Sequence, residues 1–426
     1  MGDSKALTAD DPLYRDVFDI AKEATHGHRM VFDDMAERLN ALRDKGAIHK
    51  GIGSVLAGDP DDALFQPPRE TYTLTTFELV NWAFRDGETF SNEIYRDLAM
   101  VHAMGDTILW KTGPDHQRLR AVAQPMFIGP KTVTWWRRNW IDEIVAKLLE
   151  PLEALETTDL NLSFCARLPM QVITQGFGMN GEAALEFRNH LLHSTGALPA
   201  TPEQKKTSSE VVNEMLKELI TERRKKPQDD VVSGLLRNDL ALEGEGSRKL
   251  TDEEVFAYCR LVMGAGGGTT WRQLGMTLVA LLTNDFWDAC LKDRDLVPAA
   301  VEESIRWIPT DPFMPRLVTR DVEIAGWQIP AGARVDLCLG AANRDPARWE
   351  NPDAYDIHRP YQYNLGTAIG PHRCLGYDLT RTEMVWAING LLDRFPKMRL
   401  APDTPTPRFI GGTHQRGIDA LHVLLK

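Results

Sequence analysis

Residues 367–376 read Thr-Ala-Ile-Gly-Pro-His-Arg-Cys-Leu-Gly, a glycine-bounded loop that contains a single cysteine, Cys374. An apolar-patterned helix is predicted to begin directly after the loop, near Tyr377. The N-terminus of a helix presents unpaired N–H groups and the positive end of the helix dipole, so this position favours a thiolate. A thiolate acts as a nucleophile or as a metal ligand, although a lone cysteine near a histidine is more often an inert buried thiol.

The residues around the cysteine suit a large, flat ligand. Gly370 and Gly376 let the backbone approach such a group without a Cβ clash. His372 and Arg373 place a polar and a cationic side chain beside the sulfur. Haem iron held by a cysteine thiolate is electron-rich and favours O–O cleavage. The loop therefore favours Cys374 as the ligand of a haem iron.

A second informative stretch is a predicted helix over residues 252–283. Thr251 and Glu254 stand at capping-box spacing, and apolar residues recur at helical spacing on both sides of a glycine-rich segment, 264–270. Each glycine in a helix interior costs about 0.5 to 1 kcal/mol relative to alanine. Close helix packing or a break between two helices explains such a run. The functional alternative is that the backbone passes close to a flat cofactor, with Thr269 hydrogen-bonding a bound ligand.

Composition limits the class of protein. The chain has 426 residues, 43% hydrophobic residues and a net charge of −12, which suggests a large core and argues against nucleic acid as a partner. Five widely spaced cysteines without a CxxC pair indicate a reducing compartment rather than a disulfide framework. We find no linker, repeat, signal peptide or membrane span in the sequence. We therefore expect one domain over residues 1–426, a cytoplasmic location and no membrane contact.

The cysteine loop resembles that of the haem-thiolate monooxygenases, the cytochromes P450, which reads Phe-Gly-x-Gly-x-His-x-Cys-x-Gly. Four residues match at the same spacing: Gly370, His372, Cys374 and Gly376. Thr367 and Ala368 replace the usual Phe and first Gly. The family's Ala-Gly-x-(Asp/Glu)-Thr-Thr pattern is matched by four residues of the predicted long helix: Ala265, Gly266, Thr269 and Thr270. Gly268 stands where the family has its acid.

The resemblance implies further site residues. It makes His116 and Arg120, four apart at the start of a predicted helix, partners of a haem propionate, and Arg316 a second propionate partner. It also implies a buried structural triad of Glu303, Arg306 and Arg359. The cofactor-binding set is then His116, Arg120, Ala265, Arg316, His372, Cys374 and Gly376, with Cys374 bound to the iron. The catalytic set is Gly268, Thr269 and Thr270.

The substrate pocket implied by the resemblance is apolar. We expect it to be formed by Leu261, Gly264, Ala265, Pro312 and Phe313. The predicted fold is mainly α with a small β portion, a single cytochrome P450-like domain that encloses a haem. Helices are expected over residues 31–45, 142–155, 167–176, 183–195 and 208–225, and short strands over 69–76, 322–324, 327–329 and 334–339.

The activity implied by the resemblance is a monooxygenase reaction at haem b, in which one oxygen atom of O2 enters an apolar organic substrate. Terpenoids, steroids, fatty acids and aromatic compounds all stay open. Electrons are expected from an external ferredoxin or flavodoxin, and Arg118, Arg137, Arg138 and Arg373 are candidates for docking it. The missing acid at Gly268 keeps a peroxide-driven or non-oxygenating haem-thiolate enzyme open, and a non-catalytic haem sensor is a third alternative.

Overall fold

The computed structural model describes residues 32–59, 65–98, 104–179, 182–195 and 200–426. Over these ranges the chain is mainly helical with small β-sheets, which confirms the predicted fold class. The α-helices are α1 (Met35–Lys45), α2 (Gly53–Leu56), α3 (Phe77–Arg85), α4 (Gly113–Ala123), α5 (Pro130–Trp136), α6 (Asp142–Leu149), α7 (Arg167–Gly176), α8 (Glu182–Thr195), α9 (Pro202–Lys225), α10 (Val231–Arg237), α11 (Asp252–Thr283), α12 (Trp287–Lys292), α13 (Leu296–Trp307), α14 (Leu339–Ala342) and α15 (Tyr377–Arg394).

The β portion is a five-stranded sheet with three hairpins and a small three-stranded sheet. The strands are β1 (Ile48–Lys50), β2 (Thr71–Leu74), β3 (Phe90–Ser91), β4 (Thr157–Asp159), β5 (Asp239–Ala241), β6 (Ser247–Lys249), β7 (Phe313–Val318), β8 (Val322–Ile324), β9 (Trp327–Ile329), β10 (Arg334–Cys338), β11 (Arg399–Leu400), β12 (Phe409–Ile410), β13 (Gly417–Ile418) and β14 (His422–Leu424). The large sheet has the order β1-β2-β10-β7-β3, in which β10 is parallel to β2 and antiparallel to β7.

Helix α11 runs unbroken from Asp252 to Thr283, as the sequence predicts. Both hydrogen bonds of its capping box are present: the Glu254 backbone N–H donates to Thr251 Oγ1 at 3.2 Å, and the Thr251 backbone N–H donates to Glu254 Oε2 at 2.8 Å. Because helical geometry continues through residues 264–270, a break between two helices does not explain the glycines.

The small residues of α11 face two different environments. A Cβ added at Gly266 would lie 3.0 Å from Ile173 of α7, and one added at Gly264 would lie 3.4 Å from Leu191 of α8. These glycines therefore allow neighbouring helices to pack closely. Ala265 is exposed and Thr269 is half-buried, although both lie in the middle of this long helix. Residues four apart share a helix face, so one face of α11 borders open space inside the protein.

Three predicted helix boundaries are wrong, and the first is the start of α1, which begins at Met35 rather than at residue 31 because residues 32–34 are not helical. Helix α9 begins at Pro202 rather than at residue 208, because Thr201 and Gln204 form a capping box that starts the helix earlier. Helix α6 ends at Leu149, and a 3₁₀ turn follows over Glu150–Ala154, where Pro151 has no N–H to continue the ladder. The first residue of the predicted helix 31–45 lies outside the described residues. Within the described parts of the chain, no helix is long and apolar enough to cross a bilayer.

Candidate functional site

Cys374 lies between a short turn, Gly370–His372, and the start of α15. Its backbone N–H donates to the Thr367 carbonyl at 3.0 Å, which closes the loop. The side chain is exposed, yet burial is the largest influence on its pKa, so the sulfur lies deep in the fold and borders an internal opening. The other four cysteines are buried. Cys374 is therefore the cysteine that can reach a bound group.

The pKa of the Cys374 thiol is raised above its ordinary value. Burial outweighs the opposing effects of the Gly376 and Tyr377 backbone N–H groups and of the Arg120 and Arg373 charges. The expectation that the helix N-terminus alone favours a thiolate here is therefore wrong for the uncoordinated thiol. A coordinated metal ion deprotonates a thiol outright, so Cys374 would be a thiolate if its sulfur held one.

The cysteine loop has a close backbone contact at Gly370. This residue has a φ of +74°, and an added Cβ would lie 2.3 Å from the Phe84 backbone oxygen at the end of α3. Ala368 also takes a positive φ, 56°, at the position of the family's first glycine. That departure leaves about 1 kcal/mol of backbone strain in the loop. At Gly376, by contrast, an added Cβ would meet no described protein atom within 4 Å.

Gly370→Ala should displace the loop from α3. A left-handed alanine costs about 1 to 2 kcal/mol, and the clash with a backbone oxygen adds roughly 1 to 3 kcal/mol. We expect a lower midpoint of thermal unfolding and a lower ratio of bound haem to protein. Gly87→Ala is the matched control, since its Cβ would lie 3.6 Å from Pro371 of the same loop. If the two variants had the same unfolding midpoint and the same ratio of haem to protein, the close approach at Gly370 would be contradicted.

His116 and His372 form a stacked pair, with ring centroids 3.9 Å apart and an interplanar angle of 30°. His116 is 2% exposed, and its Nε2 has no hydrogen-bond partner among the described residues. Burial, followed by the Arg120 charge, lowers the pKa of His116 to about 4. Burial, followed by His116, lowers the pKa of His372 to about 2. Both rings are neutral at pH 7, and the buried Nε2 is suited to donate a hydrogen bond to an acidic group.

Two arginines add positive charge to this region. Arg120 Nη2 donates to the Arg373 carbonyl at 2.6 Å, which links α4 to the cysteine loop. Arg316 on β7 is 3% exposed, and its guanidinium lies 5.0 Å from the centroid of the Phe84 ring. Burial lowers the pKa of both guanidinium groups. In the described residues no carboxylate forms an ion pair with Arg316, and a buried cation is costly unless it is paired. A carboxylate-bearing cofactor fits this donor set.

The predicted triad comes together at α13. Glu303 accepts two hydrogen bonds from Arg306, at 2.7 Å each, and one from Arg359 Nε at 3.2 Å. The Asp356 backbone N–H donates to the same carboxylate at 3.0 Å. Arg306 is 1% exposed and also donates to three backbone carbonyls, those of Asn343, Pro352 and Ala354. The network therefore connects α13 to the long segment that precedes the cysteine loop.

The two threonines of α11 differ in their surroundings. Thr269 Oγ1 donates to the Ala265 carbonyl at 3.2 Å, on the open face of the helix. Thr270 is buried, and its hydroxyl lies 3.0 Å from that of Thr380 on α15. Arg272 Nη1 donates to the Gly268 carbonyl at 2.6 Å, so a buried guanidinium lies next to the position of the missing acid. Of the three predicted catalytic residues, Thr269 is the one that faces the opening.

The predicted pocket residues do not all share one face. Ala265 is exposed on the open side of α11, whereas Leu261 is half-buried and Gly264 packs against Leu191. Phe313 is 3% exposed and contacts Gly53 in a cluster with α1. Its assignment to the pocket is wrong, because strand alternation places it on the face opposite Arg316.

Pro312 is also buried, against Gly340 at the edge of the same cluster. It therefore lies close to Leu39 of α1, a member of that cluster. Met314, two residues before Arg316 on β7, shares the face of that arginine and is half-buried. Met314 is thus the residue of this strand that best suits a pocket edge.

The four arginines that are candidates for docking a redox partner differ in their contacts and in their exposure. Arg118 is paired with Asp115, and Arg137 lies over the Trp386 ring of α15 at 4.8 Å. Arg138 and Arg373 are exposed. Trp136, next to Arg137 in the sequence, is fully buried in the core and adds nothing to this surface.

Sequence reasoning missed a long-range contact beside the cysteine. The Tyr377 hydroxyl donates to Glu302 Oε1, and Arg381 Nε donates to the same oxygen at 2.9 Å. Glu302 and Tyr377 are 75 residues apart, and no local pattern links them.

Glu383 on α15 is a second residue that sequence reasoning missed. It is 3% exposed, and its Oε2 has no partner among the described residues.

These features define a class of protein: a mainly helical fold with one accessible cysteine, a nearby set of histidine and arginine donors, and an open helix face. Comparisons agree with this class. The family model for cytochrome P450 matches residues 284–413, which include the cysteine loop. The biotin biosynthesis cytochrome P450 of Bacillus subtilis is 32% identical over 317 residues, 73% of this chain and 78% of that protein.

Two further comparisons extend this result. The vitamin D3 dihydroxylase of Streptomyces griseolus is 34% identical over 67% of this chain and 70% of its own length. The solved complex of P450BioI with an acyl carrier protein ligated to hexadec-9Z-enoic acid has a TM-score of 0.77 and 27% identity, and the match covers 92% of this chain and 97% of that one. The chain belongs to the cytochrome P450 family, whose members are haem-thiolate oxygenases.

Proposed function

We propose that this enzyme inserts one oxygen atom from O2 into an apolar organic substrate, with haem b held by Cys374. The observation that supports the proposal is the accessible Cys374 sulfur at the start of α15. The long helix α11 turns Ala265 and Thr269 toward an internal opening. When bound, a haem with thiolate ligation supplies the capacity to activate dioxygen.

The side chains of this chain hold the haem in the proposed arrangement. His116 Nε2 and the guanidinium groups of Arg120 and Arg316 would receive the two propionates, which would give His116 Nε2 a hydrogen-bond partner and the buried Arg316 an acidic one. His372 packs against His116 and orders that end of the site. Ala265 offers a small side chain next to the flat face, and Gly376 leaves space beside the sulfur.

Proton delivery is altered by Gly268, which has no carboxyl group. Thr269 Oγ is positioned on the open face to pass a proton, with its own hydrogen bond directed to the Ala265 carbonyl. We assign the supply of protons to Glu383, because burial raises the pKa of its carboxyl well above the ordinary value and so favours the protonated form. Glu383 lies one helical turn from Thr380, whose hydroxyl contacts Thr270 of α11.

The substrate is bulky and apolar in this proposal, and fatty acyl chains, terpenoids, steroids and aromatic compounds fit it. Two relatives favour long or polycyclic molecules: one is named a vitamin D3 dihydroxylase, and one solved neighbour carries a hexadecenoic acid on its carrier protein. Candidate substrates can be ranked by how strongly each one shifts the spin state of the haem when it is added to the protein. A long-chain fatty acid, a sterol and a small aromatic compound are the first three to compare.

We assign electron delivery to an acidic ferredoxin or flavodoxin that docks near Arg138 and Arg373. Both arginines are exposed, and Arg137 stacks on Trp386 of the helix that follows the cysteine. Local positive charge can steer an acidic protein to a chain of net negative charge.

Reversing two of these charges should slow reduction. We expect Arg137→Glu/Arg138→Glu to lower the second-order rate of reduction by an acidic ferredoxin by about tenfold or more at low salt. The loss should shrink as salt rises, because exposed charges are screened beyond about 10 Å at 0.1 M. Lys205→Glu/Lys206→Glu on α9 is the matched control on another helix. Stopped-flow reduction rates that are the same for both double variants would contradict the docking site.

The peroxide-driven alternative is favoured by one observation, the glycine at position 268. One experiment separates the candidates: turnover of a converted substrate under ¹⁸O2 with a reductase system, compared with turnover driven by peroxide. The proposal expects one ¹⁸O atom in the product and dependence on reductant. Product formed only with peroxide supports the alternative, and a haem protein without turnover under either condition supports a sensor.

A further inference from the structure

Arg260 of α11 is a half-buried arginine between three elements of the fold. Its Nη2 donates to the side-chain oxygen of Asn213 on α9, which is half-buried too. A Cβ added at Gly105, in the loop before α4, would lie 3.4 Å from Arg260 Nη1. The guanidinium also lies 5.6 Å from the centroid of the Phe256 ring, one turn earlier on α11. Arg260 is therefore bordered by α9, α11 and this loop.

The charge of Arg260 has no acidic partner at ion-pair distance among the described residues, where its hydrogen bond goes to a neutral amide. Burial lowers the pKa of this guanidinium, and the nearby charge of Glu253, seven residues earlier at the start of α11, opposes the shift. Arg223 of α9, by contrast, forms an ion pair with Asp230. A buried cation is costly unless it is paired, so the Arg260 guanidinium is suited to receive an anion.

Asn213 adds a second donor beside the guanidinium. Its Oδ1 accepts from Arg260, so its Nδ2 points elsewhere, and within the described ranges that nitrogen makes no hydrogen bond. The planar fork of a guanidinium matches the two oxygens of a carboxylate. Phe256 supplies an aromatic surface next to these polar groups. Together the three side chains suit a carboxylate that is attached to an apolar body.

This group of side chains lies at one end of the open face of α11. Arg260 is next to Leu261, which shares a helix face with Ala265 and Thr269. Arg260 and Thr269 are nine residues apart, which is about 13.5 Å along the helix axis at 1.5 Å per residue. Helical side chains lean toward the N-terminus, so the guanidinium lies on the side of Arg260 away from Thr269. A ligand that contacts both side chains is therefore a long molecule.

We propose that Arg260 and Asn213 bind a carboxylate of the substrate, at the end remote from the carbon that is oxidised. The inference rests on the proposed oxygenase function and narrows its substrate class to long apolar acids. A fatty acid or a polycyclic acid has the required length and charge. A neutral terpene lacks the charge, and an acid built on a single aromatic ring lacks the length.

The test compares the binding of tetradecanoic acid and of tetradecanol to the haem-loaded protein, because the two ligands share a chain and differ in charge. Affinities are measured by isothermal titration calorimetry at neutral pH. We expect wild type to bind the acid more tightly than the alcohol. Arg260→Gln should weaken binding of the acid by roughly ten- to a hundredfold and leave binding of the alcohol nearly unchanged. The same comparison with a steroid carboxylic acid and its alcohol shows which apolar body the site prefers.

Asn213→Asp separates ligand binding from helix packing. The new carboxylate would pair with Arg260 and compete with the ligand, so binding of the acid should fall while α9 and α11 stay in contact. Arg224→Gln is the matched control, because Arg224 of α9 pairs with Asp252 at the start of α11 and joins the same two helices. This variant should bind both ligands as wild type does.

Two results would overturn the inference: equal affinity of wild type for each acid and its alcohol, or an equal loss of acid and alcohol binding in Arg260→Gln. The second result would show that Arg260 serves packing alone. A protein that prefers the acid but forms no product from it would contradict the proposed oxygenase function and not the carboxylate site, so the two failures are distinguishable.

Discussion

Glu303→Ala should produce a chain that does not retain haem. The substitution leaves Arg306, which is 1% exposed, and Arg359 without the carboxylate that both contact. Removing one partner of a buried ion pair costs about 3 to 5 kcal/mol, because an uncompensated charge stays buried. That is a large part of the stability of a typical domain. Since the triad connects α13 to the segment before the cysteine loop, we expect the loss to reach the haem site.

The measurement is the ratio of haem absorbance to protein, together with the thermal unfolding midpoint. Glu323→Ala is the control, because Glu323 is exposed on the β8–β9 hairpin and pairs only with Gln328 among the described residues. That variant should behave as wild type. A Glu303→Ala protein with a full complement of haem and an unchanged midpoint would rule out the structural role of the triad.

Thr269→Ala should uncouple reductant consumption from product formation. The hydroxyl of Thr269 is the one side-chain donor of the predicted catalytic set on the open face of α11, and Gly268 offers no carboxyl group to replace it. We expect the yield of product per reductant to fall by about tenfold, equivalent to about 1.4 kcal/mol in the competition between productive and wasteful steps. Thr269→Ser, which keeps the hydroxyl, is the matched control and should retain coupling.

Two further variants test the proton route from its other end. Glu383→Gln keeps the shape of the side chain and removes the acidic proton, so coupling should fall several-fold. Gly268→Asp adds an acid, but its Cβ would lie 3.7 Å from Arg272 Nη1. A nearby guanidinium lowers the pKa of a carboxyl group, so we expect a smaller change than for Thr269→Ala. Unchanged coupling and peroxide use in all of these variants would show that the route is wrong.

Local sequence patterns are sufficient to predict the long helix α11 and the helix α15 that follows the cysteine. The capping box at Thr251 and Glu254 fixed the start of α11, and both of its hydrogen bonds are present. The same pattern at Thr201 and Gln204 starts α9 at Pro202, six residues before the predicted start at residue 208. The triad followed from the family resemblance: Glu303 and Arg306 lie three apart on one helix, but no local pattern links them to Arg359, which is 56 residues from Glu303.

Features that depend on packing or distant contacts were not predictable. The resemblance places Phe313 in the pocket, but the phase of β7 turns it toward α1. The raised pKa of Cys374 reflects burial, which opposes the local effect of the helix N-terminus. The Glu302–Tyr377 contact joins two helices that are far apart in sequence, and only the folded chain brings them together.

The central claim is that Cys374 binds haem iron as a thiolate. The most direct measurement is the carbon monoxide difference spectrum of the reduced, haem-loaded protein. Thiolate ligation predicts a strongly red-shifted absorption band, which Cys374→Ser should abolish. An unshifted band in the wild-type protein, or a red-shifted band that survives Cys374→Ser, would contradict the assignment.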